Sequence, residues 1–112
     1  MKYINSNLLN QANYRKESSI KYLFKQYHWL RELSYSGDSV ALSILMDLNA
    51  CLEHEYLTDK QRKALYYYYI QQYTFHEVAE KLELKFHSSA QNRVNSGVSR
   101  VKDLLTGEEK LY

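Results

Sequence analysis

Apolar residues fall into helical stripes along most of this chain, and nowhere do they alternate as a half-buried strand would. From about Tyr14, the positions Ile20, Leu23, Phe24, Tyr27 and Leu30 follow i, i+3, i+4, i+7 spacing and predict a first helix. The run Tyr35-Ser36-Gly37-Asp38-Ser39 interrupts it. Asp38 or Ser39 then supplies the cap of a second helix, with the stripe Ala41, Ile44, Leu45, Leu48 and Leu52. Three later starts carry the capping-box pattern, Ser or Thr followed three residues on by Glu or Gln: Thr58 with Gln61, Thr74 with Glu77, and Ser88 with Gln91. They open a third helix reaching about Tyr69, a short fourth, and a fifth running to about Leu105, where Thr106-Gly107 supplies a stop. The first dozen residues are polar, Asn-rich and without a period, and are expected to fray.

The stripes of the last three helices fit one another. Ala64, Leu65 and Tyr68 or Tyr69 would face Val78, Ala79 and Leu82, and the fifth helix would contribute Ala90, Val94, Val98, Val101 and Leu105. Gly97 lies on that stripe, where a missing side chain allows close helix approach. The expected fold is all-α with about five helices. Residues 1–56 form an N-terminal helical pair acting as scaffold or dimerisation segment, and residues 57–106 a trihelical helix-turn-helix unit. In the Tyr66–Tyr69 run, helical geometry turns about two of the four rings away from the core. The Tyr27-His28-Trp29 cluster is expected to join the N-terminal pair to the trihelical unit or to form a dimer seam.

Composition narrows the class. A single cysteine, Cys51, excludes an internal disulfide and suits a reducing compartment. No apolar run reaches the roughly 18–20 residues of a membrane span, and the first residues lack a signal peptide's apolar core. A cytoplasmic protein without membrane contact is expected. The four histidines, His28, His54, His76 and His87, match no metal-ligand spacing, and there is no Gly-rich phosphate loop and no nucleophile with an activating base. No enzyme activity, metal or cofactor is expected.

Charge points elsewhere. The formal net charge is only +2, but the surplus lies in the second half of the chain. From Lys85 to Lys102 there are four cations (Lys85, Arg93, Arg100 and Lys102) and no carboxylate, whereas the helix before it carries Glu77 and Glu80 against Lys81. A short acidic helix, a tight connection and a longer basic helix form the layout of a helix-turn-helix reader of double-stranded DNA. Outward on the fifth helix stand Ser89, Gln91, Asn92, Asn95, Ser96, Ser99 and Lys102. Gln and Asn bond bidentately to adenine, Arg to guanine, and Ser to base or phosphate. Base readout is expected from Ser89, Gln91, Asn92 and Asn95. Phosphate contacts are expected from Arg93, Arg100 and Lys102, with Thr74 offering its hydroxyl and the backbone N–H groups of its helix start. Lys85, Ser88 and Ser96 complete the candidate DNA-binding set.

The run Leu57-Thr58-Asp59-Lys60-Gln61-Arg62-Lys63-Ala64-Leu65, then Tyr69, Thr74 through Leu82, Arg93-Val94-Asn95 and Gly97-Val98, resembles region 4 of bacterial sigma factors. The upstream stretch from Tyr35 through Leu52 is similar to short sigma-like regulators of Gram-positive phages and mobile elements. The resemblance covers about residues 35–105. It implies a promoter-binding activator that works with RNA polymerase. Two departures bear on the turn: Glu83 stands where the family usually has a glycine, and the connection to the recognition helix is one residue longer. The 56 residues ahead of Leu57 are too few for the promoter-melting region of a complete sigma factor. Two other classes fit parts of the pattern. One is a protein-binding adaptor or inhibitor with a helix-turn-helix shape, favoured by twelve tyrosines. The other is a small terminase-like DNA-packaging subunit, which would require a ring-forming segment.

Overall fold

The computed structural model describes residues 14–112, so the expected fraying of the first dozen residues lies outside the described part. Among the described residues the regular structure is entirely helical, with six α-helices: α1 (Glu17–Lys25), α2 (Tyr27–Tyr35), α3 (Ser39–Leu52), α4 (Asp59–Leu65), α5 (Phe75–Lys81) and α6 (His87–Thr106). A π-helical turn, Tyr66–Ile70, continues α4 without a break.

The sixth helix arises because the expected first helix is two. The chain bends at Gln26 (φ −92°, ψ 10°), and its two halves bury different residues. Ile20, Leu23 and Phe24 of α1 pack toward α6 and the π turn, whereas Leu30 and Leu33 of α2 pack mainly on α3. A continuous stripe in sequence therefore serves two partners in space. Between α2 and α3 the turn is a Schellman motif: Asp38 N–H donates to Leu33 O (3.0 Å), Gly37 N–H to Ser34 O (3.1 Å), and Gly37 takes φ +101°. Asp38 then caps α3 by accepting from Ala41 N–H at 3.0 Å.

Two of the three capping boxes are formed, at Thr58–Gln61 and Thr74–Glu77. The third is not. The N-cap of α6 is Phe86, in extended conformation and with no side-chain cap, so Ser88 and Gln91 both lie inside the helix. A pattern spaced by three residues also occurs between neighbours on a helix surface, and here that is its meaning. Gly107, at φ +85°, ends α6.

The core is one cluster running from Ile20 to Leu104, which joins the N-terminal helices to the trihelical unit. On α6 the buried positions are Ala90, Val94, Gly97, Val98, Val101 and Leu104. The last is Leu104, not the expected Leu105, which is only half-buried. A Cβ on Gly97 would lie 3.0 Å from two Leu65 side-chain carbons, which is why α4 and α6 approach so closely at this point. In the tyrosine run Tyr69 is buried and stacks on Phe24 (centroids 5.2 Å apart, planes at 18°), while Tyr67 and Tyr68 are half-buried. Only Tyr66 of the four is exposed, and the whole run lies in the π turn. Tyr27 and His28 tie α2 to its neighbours: Tyr27 Oη donates to Asn49 Oδ1 (2.7 Å), and His28 Nε2 donates to Ile70 O (2.8 Å) at the end of the π turn.

The turn between α5 and α6 is again a Schellman motif. Leu84 N–H donates to Ala79 O (2.8 Å) and Glu83 N–H to Glu80 O (3.1 Å), with Glu83 itself at φ +57°. The departure from glycine thus places a β-carbon in the left-handed region, at a cost of about 1–2 kcal/mol. Glu83→Gly is expected to raise the unfolding free energy by about 1 kcal/mol, read from a shifted urea midpoint at unchanged slope. A destabilised Glu83→Gly protein would show that the carboxylate has a partner that offsets the strain.

Candidate nucleic-acid interface

Packing and one ring contact fix how α5 and α6 sit together. Val78 and Ala79 of α5 and Ala90 and Val94 of α6 are buried in the one core cluster where these two helices pack, and the rings of His76 and His87 meet at 4.4 Å between centroids. The starts of α5 and α6 therefore lie side by side at one edge of the molecule. Lys85, Phe86, His87 and Ser88 are all exposed there.

The first three turns of α6 carry a continuous polar surface. Ser88, Gln91 and Asn92 are exposed, and Ser89, Arg93 and Asn95 are half-buried at its flanks. The Arg93 side chain makes no hydrogen bond or ion pair among the described residues, so its guanidinium is available to a phosphate. Ser96 closes this surface on one side, accepting from Gln61 Nε2 at 3.3 Å and donating to Arg93 O at 3.1 Å. Its hydroxyl is thereby committed to holding α6 against α4.

Three members of the expected set stand differently. Arg100 Nη1 donates to Tyr56 O at 2.6 Å, and the guanidinium lies 4.8 Å from the centre of the Tyr56 ring. Tyr56 Oη in turn donates to Asp103 Oδ2 at 2.9 Å, and that bond, with some burial, holds the phenol above its usual pKa. Arg100 thus fastens the chain before α4 to α6 and does not join the polar surface. Lys102 is half-buried further along the helix and shares a concavity with Arg15, Asp103, Thr106 and Glu108. Fourteen residues after Ser88, it stands about 21 Å along the axis, well beyond the first turns of the helix. Thr74 is exposed, but its N–H donates to Glu77 Oε1 (2.8 Å) and its hydroxyl accepts from Glu77 N–H (3.2 Å). The start of α5 therefore already holds a carboxylate where a phosphate was expected.

Phe86 was not legible as a candidate. It is 59% exposed, with Lys85 Nζ 5.8 Å from its ring centre, and it stands immediately before α6. Nothing in its sequence context separates it from a buried turn anchor. An aromatic edge at this point is suited to a thymine methyl group.

No group of three or more His, Cys, Asp or Glu side chains is gathered for a metal among the described residues, and none of their helices is long and apolar enough to cross a membrane. Cys51 is fully buried, and burial with the nearby Asp47 carboxylate pushes its thiol up to about 12, so it stays protonated at neutral pH. Compared with protein-family models, with curated proteins and with solved structures, the chain has no match in any of the three.

Proposed function

We propose that the protein is a sequence-specific DNA-binding transcription regulator, similar to sigma factor region 4, that docks the first half of α6 in the major groove and activates beside RNA polymerase in the cytoplasm. The observation that carries this reading is the surface of Ser88, Gln91 and Asn92 on the first turns of α6, flanked by an unpaired Arg93 and free of carboxylates. Amide side chains on an exposed helix start offer paired donors and acceptors to adenine edges, and Arg93 beside them supplies a phosphate anchor. Arg100 and Thr74 are set aside from the interface, because their polar groups are already bonded within the fold.

The roles separate in a binding titration. Arg93→Ala is expected to weaken binding to specific and random duplexes alike. Gln91→Ala or Asn95→Ala is expected to cost about 1–3 kcal/mol on the preferred sequence and little on random DNA. Fluorescence anisotropy with both duplexes makes the comparison, and equal losses on the two for all three variants would contradict this assignment of readout. Failure of the unmodified protein to bind any duplex, alone or with polymerase, would favour the protein-adaptor class.

A further inference from the structure

The N-terminal half looks electrically neutral only as an average. Residues 14–25 carry Arg15, Lys16, Lys21 and Lys25 against a lone Glu17. Residues 26–59 carry Arg31 alone against Glu32, Asp38, Asp47, Glu53, Glu55 and Asp59. The positive charge therefore belongs to α1 and its lead-in, and the negative charge to α2, α3 and the loop after them.

Packing puts α1 with the reader. Arg15, two residues before α1 begins, shares a concavity with Lys102 and Thr106 near the end of α6. The last residue of α1, Lys25, lines another of about 420 Å³ with Thr74 and Phe75, where α5 begins. Since α5 and α6 start side by side, α1 runs antiparallel along α6, with its C-terminal end at the same edge as the candidate recognition turns. Lys21 lies one helical turn before Lys25, on the same flank. Lys25 is exposed, Lys21 is half-buried, and neither makes an ion pair among the described residues.

We infer that α1 is a second nucleic-acid-binding element, and that Lys21 and Lys25 hold phosphates of the duplex strand bordering the groove that α6 enters. This rests on the DNA-binding reading and assigns to α1 a partner in place of a scaffold role. The chemistry asked of it is charge neutralisation of backbone phosphate, which carries affinity and no sequence information. It also supplies positive charge beside Thr74, where the Glu77 carboxylate would otherwise repel the strand.

Salt dependence tests it directly. Each neutralised phosphate adds about 0.9 to the log–log slope of affinity against salt. Lys85 and Arg93 alone give a slope near −2, and adding Lys21 and Lys25 brings it to about −4. The double variant Lys21→Gln/Lys25→Gln is therefore expected to return the slope to about −2, with equal affinity losses on preferred and random duplexes. Lys63→Gln/Lys110→Gln removes the same charge, from the α2–α3 side and from the C-terminal tail, and is expected to leave the slope unchanged. Circular dichroism melts confirm that both variants remain folded. An unchanged slope in the α1 variant, equal effects of the two double variants, or a loss confined to the preferred sequence would each overturn the inference. If the unmodified protein binds no duplex, the parent reading fails; if it binds and the α1 variant behaves like wild type, this inference alone fails.

Discussion

Phe24→Ala is expected to lower the unfolding free energy by about 3–5 kcal/mol. The Phe24 ring is fully buried and stacks on Tyr69 at the junction of α1 with the π turn, so its loss opens a cavity between the two segments of the chain. A domain of this size is stable by about 5–15 kcal/mol, which leaves the variant near the edge of folding at 37 °C. Urea denaturation followed by far-UV circular dichroism measures the change. Because Phe24 docks the helix that bears Lys21 and Lys25, the same variant should also show a shallower salt slope in DNA binding under conditions where it is folded. A cost below about 1 kcal/mol would mean that α1 is not held against the π turn in the manner described.

Arg62 is the second position of large effect. Its guanidinium donates to Leu52 O at 2.6 Å, His54 O at 2.8 Å and Leu57 O at 3.2 Å, and pairs with Asp59 at 2.7 Å. One side chain thus satisfies the carbonyl at the end of α3 and two more in the loop leading to α4, where a cation also suits the helix dipole. Arg62→Met keeps much of the stem but removes the guanidinium donor from Leu52 O and Leu57 O, while His54 O keeps the Leu57 N–H at 3.2 Å, for an expected loss of about 2–4 kcal/mol. Arg62→Lys should recover less than half of that, because one ammonium cannot span acceptors that a planar guanidinium reaches together. A lysine variant as stable as wild type would show that charge near Asp59, and not the fork of hydrogen bonds, is what matters.

What was legible in the sequence was local. The Asp38 cap, the boxes at Thr58 and Thr74, the stop at Gly107 and the strained Glu83 all depend on residues within a few positions of one another. The all-α class followed from apolar periodicity. Features decided by distant neighbours were not legible. The two halves of one stripe bury against different elements on either side of the bend at Gln26, and the π turn carries Tyr69 onto Phe24, 45 residues earlier in the chain.

The same distinction divides the candidate site. Ser88, Gln91 and Asn92 share a face because helical geometry alone puts them there, with Arg93 on its flank. Arg100 is equally basic in sequence, yet Tyr56, 44 residues earlier, claims it. The Ser88–Gln91 box failed because Phe86, which makes no side-chain cap, begins the helix two positions before a Ser88 cap would. The charge of α1 was hidden by summing it with the acidic helices that follow in the chain but point it to different partners in space.

Selection from randomised duplex DNA at near-physiological salt, with and without core RNA polymerase and beside an Arg93→Ala control, tests the central claim most directly. The account predicts enrichment of one short motif by the unmodified protein and its loss in the control. No enriched motif in either the presence or the absence of polymerase would contradict it.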